Sequence, residues 1–178
     1  MMDLIAMHDA PVGPFAVRVT ETPLVDATLR AALEAHHIES FGWAMSCCRR
    51  RRDEAENVLQ IVYLKVLSGK AVFDGRSEFR TWLFSVIRRT AANERRLAFL
   101  RRLYLSRIPP PQRREEVEVE PRLQQELAAL SARQREVLQL VFYHGLSIAE
   151  SARVMGVSIG SARTHYERGK QQLRRRLQ

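Results

Sequence analysis

Seven prolines fall at positions 11, 14, 23, 109, 110, 111 and 121 of this 178-residue chain, leaving 24–108 and 122–178 free of them. Proline inside a helix costs about 3 kcal/mol, because it removes a donor and clashes with the preceding turn. Two long proline-free stretches therefore permit long helices. Between them, PPPQRREEVEVEP (109–121) is charged and poor in apolar residues, and reads as an extended linker. No apolar/polar alternation persists beyond Val117 and Val119, so strand signals are weak. The expected fold is all-α: an irregular N-terminal extension (1–23), a helical domain (24–105), a flexible linker (106–121) and a second small helical domain (122–178).

Charge follows the same division. The net charge is −4 over 1–48, +8 over 49–102, −1 over 103–130 and +6 over 131–178, for a total of +9. Of the 29 cations 26 are arginine, whose planar fork of donors matches phosphates and guanine edges. Two basic blocks on a helical chain point first to nucleic acid. With 46% hydrophobic residues the chain can bury a core. The adjacent Cys47 and Cys48 suit reduced thiols better than a disulfide framework. Apolar runs such as VLQLVF (137–142) fall far short of the roughly 20 residues of a membrane span, and the N-terminus carries acids where a secretory signal carries cations. A cytoplasmic protein without a membrane span is expected.

Helical periodicity places Leu29, Leu33, His37, Phe41 and Ala44 on one stripe. Asp53 is read as the N-cap of a helix that buries Ala55, Val58, Leu59 and Val62 and stops near Ser68-Gly69. After the loop GKAVFDGRSEF (69–79), a helix from about Glu78 should bury Trp82, Leu83, Val86 and Ile87. In the last third, LSARQREVLQLVFYHG (130–145) is amphipathic, with Val137, Leu138, Val141 and Phe142 inward. It leads into GLSIAESARVMGVSIGSARTHYERGKQQLRRRL (145–177), which reads as a helix-turn-helix. Ser147 caps a helix that buries Ile148, Ala152 and Met155. Gly156 supplies the positive-φ turn and Val157 packs beneath it. Ser158 caps a second helix with Ala162 and Tyr166 inward. Its outer face carries Ser161, Arg163, Thr164, His165 and Arg168, side chains suited to base edges and phosphates.

Together these residues resemble a group IV (extracytoplasmic-function) sigma factor of bacterial RNA polymerase, a branch of the sigma-70 family. The 130–177 segment is similar to region 4, and DEAENVLQIVYLKVL (53–67) with FRTWLFSVIRRTAANERR (79–96) to region 2. The pairing of both blocks, in this order across a short linker, makes the resemblance specific. It implies that region 2 docks on core RNA polymerase through Glu54, Asn57, Gln60, Ile61, Tyr63 and Leu64. It implies that the −10 promoter element is captured and melted by Lys70, Phe73, Arg76 and Ser77 of the loop with Arg80, Arg88, Arg89, Asn93 and Arg96 of the next helix. It implies that region 4 reads the −35 element, with Ser161, Arg163, Thr164 and His165 toward bases and Ser158, Arg168 and Lys170 toward phosphates. The pattern departs from the family at Asn57 and Ile61, where acids are usual, and at Arg89 and Asn93, where Asn and Asp are usual. An anti-sigma factor or other regulator is a further implied partner.

The five histidines and two cysteines lack zinc spacing, and no Gly-rich phosphate loop, GxSxG or HExxH occurs. Trp82 reads as core, and Arg49–Arg52 as a solvated turn. The expected function is promoter-specific transcription initiation, with no active site, cofactor or metal of its own. A stand-alone helix-turn-helix activator would leave the basic first half without a role. An interaction protein that sequesters a regulator would leave the arginine-dense faces unexplained.

Overall fold

The computed structural model describes residues 23–104, 126, 127 and 129–177. The linker assigned to 106–121 and the extension assigned to 1–23, apart from Pro23, lie outside the described residues. Among the described residues every regular element is helical. They are α1 (Pro23–Ala35), α2 (His37–Cys47), α3 (Arg52–Leu67), α4 (Phe79–Tyr104), α5 (Ala132–Leu138), α6 (Ile148–Met155) and α7 (Ile159–Leu177).

In the first half, α2, α3 and α4 pack on one another, each through an apolar stripe at helical spacing. Ala55, Val58, Leu59 and Val62 are buried as expected, joined by Val66. Leu83, Val86 and Ile87 are buried on α4, together with Phe84, which the sequence reading did not nominate. Trp43 ties α2 to α4. Its Nε1–H donates to the Phe84 carbonyl at 3.0 Å, and its indole stacks on the Phe84 ring at 5.8 Å.

Three local expectations need correction. The stripe from Leu29 to Ala44 is broken at His36, so it belongs to two helices, and His37 is exposed. Asp53 does not cap α3. Arg51 holds the cap position in extended backbone without a side-chain cap bond, and Asp53 lies in the first turn, where its charge favours the helix N-terminus. Trp82 is only half-buried. Of the Arg49–Arg52 run, Arg49 and Arg50 form the expected turn, while Arg51 caps α3 and Arg52 opens it. Arg49 and Arg50 take left-handed φ values of 54° and 63°, unusual away from glycine, and the turn is held by Arg50 N–H to Met45 O (2.8 Å) and Arg95 Nη1 to Cys47 O (2.8 Å).

The second half contains a departure that periodicity misses. After Leu138 the chain winds as a π-helix over Gln139–Tyr143. The wider turn rotates the following side chains, so Leu140 is buried while Phe142 is 65% exposed. Phe142, expected inward, instead stacks on Tyr166 of α7 at 5.8 Å.

The two halves share one apolar core. α4 packs along α6, and His144, just after the π segment, meets Trp43 and Phe84 edge-on at 5.5 and 5.0 Å. Burial keeps this imidazole neutral and lowers its pKa to about 4; Glu39 pulls slightly the other way and Arg80 adds slightly to the lowering. Below pH 6.5 the unfolded chain takes up a proton that the native state refuses until about pH 4, so this residue removes native stability across that window. Going from pH 7 to pH 5 should therefore lower the Tm of the wild type more than that of His144→Phe, as measured by circular dichroism melting.

Candidate nucleic-acid interface

The helix-turn-helix is fixed by local chemistry. Reciprocal capping boxes start both the preceding helix α5, Ser131 with Gln134, and the first helix of the motif, α6, Ser147 with Glu150. At the second, Ser147 N–H donates to Glu150 Oε2 at 2.8 Å and Glu150 N–H donates to Ser147 Oγ at 3.2 Å. The Ser147 hydrogen bonds also hold the Glu150 carboxyl below the usual range. α6 buries Ser151, Ala152, Val154 and Met155, while Ile148 is half-buried. Gly156 ends it at φ 65°, a conformation cheap only for glycine, and Val157 packs against the core beneath the turn. Ser158 Oγ then accepts the Ser161 N–H at 3.1 Å.

α7 buries only Ala162 and Gly169. At Gly169 a Cβ would sit 3.1 Å from both Gln134 Cβ and Leu138 Cδ1, so glycine permits the close approach of α7 to α5. Ser158, Ser161, Arg163, Thr164 and Arg168 are exposed, and His165 is half-buried. Thr164 Oγ1 donates to Gly160 O at 2.9 Å, leaving its lone pairs outward. Lys170 is drawn back: its ammonium lies 3.7 Å from Glu167 Oε2 and 5.2 Å from the Tyr166 ring centroid. At the far end, Arg176 Nη1 is 3.3 Å from Glu126 Oε2.

The cations of the first half separate into two groups. Lys70, Arg89 and Asn93 converge with Lys65, Trp82 and Thr90 around an open cleft of about 300 Å³ between the 68–78 loop and α4. Lys65 Nζ donates to Thr90 Oγ1 at 3.2 Å across its base. Trp82 has two roles. It packs at 5.4 Å on Phe73 and Phe79, and it also lines the cleft. Phe73 is thus built into an aromatic cluster, and Ser77 Oγ donates to Glu78 O. Arg96 follows Arg89 and Asn93 at i+7 and i+3, on the same helical face, and is exposed.

The other three −10 candidate cations are paired with acids. Arg76 pairs with Asp74 at 3.3 Å, Arg80 with Glu39 at 3.4 Å, and Arg88 with Glu136. Sequence reading missed Lys65 and Thr90, whose partnership spans 25 positions and leaves no local signal.

Residues 32–98 match the family model Sigma-70 region 2, and residues 121–173 match Sigma-70, region 4. The chain is 32% identical over 150 residues to the ECF RNA polymerase sigma factor SigL of Mycobacterium tuberculosis, covering 79% of this chain and 84% of that one. The chain belongs to the ECF sigma factors. It is also 28% identical over 167 residues to SigX of Bacillus subtilis, with 86% of each chain covered. The fold is similar to that of the sigma factor RpoE of Bartonella quintana, solved with the anti-sigma factor NepR (TM-score 0.67, 21% identity, 84% of this chain and 96% of that one). It is also similar to CnrH, solved with the cytosolic domain of CnrY (TM-score 0.61, 22% identity, 85% and 88%). As a family member the protein serves promoter-specific transcription initiation, and the region 2 match argues against a stand-alone activator.

On this sigma factor α3 presents a mixed outer face. Asn57 and Gln60 are exposed, Leu64 is 68% exposed, and Ile61 is half-buried. Glu54 lies 2.6 Å from Arg51, and Tyr63 OH shares a 3.0 Å hydrogen bond with His37 Nδ1. Buried Cys48 has its thiol pushed up to about 11, chiefly by desolvation, and so stays protonated. No helix among the described residues is long and apolar enough to cross a membrane.

Because the Ser147–Glu150 box satisfies two otherwise unpaired N–H groups, Ser147→Ala should cost about 1 kcal/mol. Urea denaturation followed by circular dichroism will measure the loss.

Proposed function

We propose that the sigma factor reads the two promoter elements with two differently built surfaces. α7 enters the major groove of the −35 duplex. Ser161, Arg163, Thr164 and His165 face base edges, while Ser158 and Arg168 contact phosphates. Lys170 joins them only by exchanging Glu167 for a phosphate. At the −10 element, one unstacked base enters the cleft beside the Trp82 indole. Lys70, Arg89 and Asn93 supply cations and donors, and Arg96 continues the strand path. Unstacking costs a few kcal/mol per step, and an aromatic wall with adjacent positive charge offsets it. Phe73, Ser77 and Arg76 shape this loop rather than hold the base.

The outer face of α3, from Glu54 through Asn57, Gln60, Ile61, Tyr63 and Leu64, docks on core RNA polymerase. The polymerase performs the nucleotidyl chemistry, so this chain works without an active site or cofactor, in the bacterial cytoplasm. By analogy with the similar fold solved with the anti-sigma factor NepR, an anti-sigma factor is a further partner. On this reading the residues 24–105 act as the polymerase-binding and −10 unit, and 122–178 as the −35 unit.

The observation that carries the reading is the coexistence, in one chain, of the capped helix-turn-helix and the cation-lined cleft. Run-off transcription with core polymerase and a promoter library tests it. Arg163→Ala should weaken initiation at −35-dependent promoters by the about 1–3 kcal/mol of a good base contact while core binding is unchanged. Asn93→Ala should reduce permanganate reactivity of the −10 thymines and leave −35 footprints intact. Equal loss of core binding in both variants would contradict the assignment.

A further inference from the structure

The arginines near the end of α7, Arg174–Arg176, have no part in either promoter surface described above. Arg175 and Arg176 line a second open cleft, of about 450 Å³, between α5 and α7. Arg168, Gln171 and Gln172 of α7 and Gln134 of α5 complete its lining, and none of these six residues is acidic. Gly169 sets how close the two walls stand, since a Cβ there would lie 3.1 Å from Gln134 Cβ.

The polar groups of this cleft are oriented by their own neighbours. Gln134 Oε1 accepts the Ser131 N–H at 3.0 Å in the capping box, which leaves its Nε2 group to donate elsewhere. Gln172 Nε2 is anchored on Ala129 O at 3.5 Å. Arg176 is tied to Glu126 at 3.3 Å. Glu167, the acid carried by α7, is drawn to Lys170 at 3.7 Å and does not line the cleft. Arg168 and Arg175 are exposed, and no described acid lies within ion-pair distance of either. They stand two turns apart on one face of α7, roughly 10 Å along its axis. Two unmatched guanidiniums at that spacing, with carboxamide donors between them, suit linked anions better than a single ion. A phosphate chain presents acceptor oxygens at every link, in the geometry a guanidinium fork matches.

We propose that the α5–α7 cleft is a binding site for linked phosphates, separate from the base-reading face of α7 but sharing Arg168 with it. A free polyphosphate and a DNA strand running on past the −35 contacts both carry that chemistry. The DNA source rests on the −35 assignment of α7, and the free source does not.

Isothermal titration calorimetry of the full-length chain with inorganic triphosphate, at matched ionic strength, tests the free source. Arg175→Gln should weaken binding at least about tenfold. Arg174→Gln removes the same charge one position away, outside the lining, and should leave binding unchanged. Fluorescence anisotropy tests the DNA source with two −35 duplexes, one ending flush with the element and one extended by about one helical turn at each end. Relative to Arg174→Gln, Arg175→Gln should bind the extended duplex at least about threefold more weakly, with a salt slope reduced by about 1, and bind the flush duplex equally well.

A loss specific to Arg175→Gln in calorimetry assigns the site to free polyphosphate, and a specific loss with the extended duplex alone assigns it to the DNA backbone. If the two variants behave alike in both experiments, or if triphosphate binds no better than sulfate and lengthening the duplex changes nothing, the site is overturned and the sigma-factor reading is untouched. If Arg163→Ala leaves duplex binding unchanged, the −35 reading falls, and calorimetry alone decides the site.

Discussion

The contact of Trp43 with Phe84 supports both halves of the molecule. The indole N–H bonds a carbonyl of α4 and the ring stacks on the side chain of the same residue, so α2 and α4 are fixed in translation and rotation together. That fixed pair of aromatic rings forms the socket that receives His144 from the second half. The placement of α4 in turn decides where the cleft lies, because Trp82, Val86, Arg89, Thr90 and Asn93 all project from it. Beyond Ala91 the helix has no buried residue; Arg95 still reaches back to the Cys47 carbonyl, while Arg96, Arg101 and Arg102 are exposed.

Function on this scaffold depends on which arginines are left without a carboxylate. Arg51, Arg52, Arg76, Arg80, Arg88, Arg133 and Arg176 are matched with acids. Among the described residues Arg89, Arg96, Arg163 and Arg168 have no acid within ion-pair distance, and they lie on the cleft face of α4 and the outer face of α7. An unmatched guanidinium at the surface releases counterions when it meets phosphate, whereas a matched one must first give up its partner. The net charge of the chain points to nucleic acid, and the pairing pattern sets Arg76, Arg80 and Arg88 apart from the unmatched arginines, which include Arg49, Arg50, Arg101, Arg102, Arg174 and Arg175 as well as those of the two surfaces.

The helix-turn-helix was almost wholly legible in the sequence. Its signals are short-range: a serine three positions before Glu150, a glycine at the turn, and a second serine cap. Such features depend on backbone groups within one helical turn. The stripe of α3 was legible for the same reason. Phe142 was misread because a π turn cannot be inferred from a period of 3.6, and one wider turn suffices to exchange the buried and exposed positions. Trp82 was read as core from its place on the apolar stripe, yet it is only partly buried, because the stripe's edge falls on the cleft that the indole lines. Among the −10 candidates the sequence offered a set of cations without distinguishing the paired from the unpaired.

By itself the sequence determined an all-helical chain, the two basic segments, the capped reading helix and the family to which the chain belongs. Helix formation, capping and charge are set by residues a few positions apart, so they are written in local order. Only the tertiary structure decided that Lys65 and Thr90 meet beside Trp82, that Arg80 and Arg88 are neutralised, and that the two halves share one core around His144. Those outcomes depend on partners 25 to 101 positions away. Their encounters are fixed by how helix faces pack, which no short window of sequence contains.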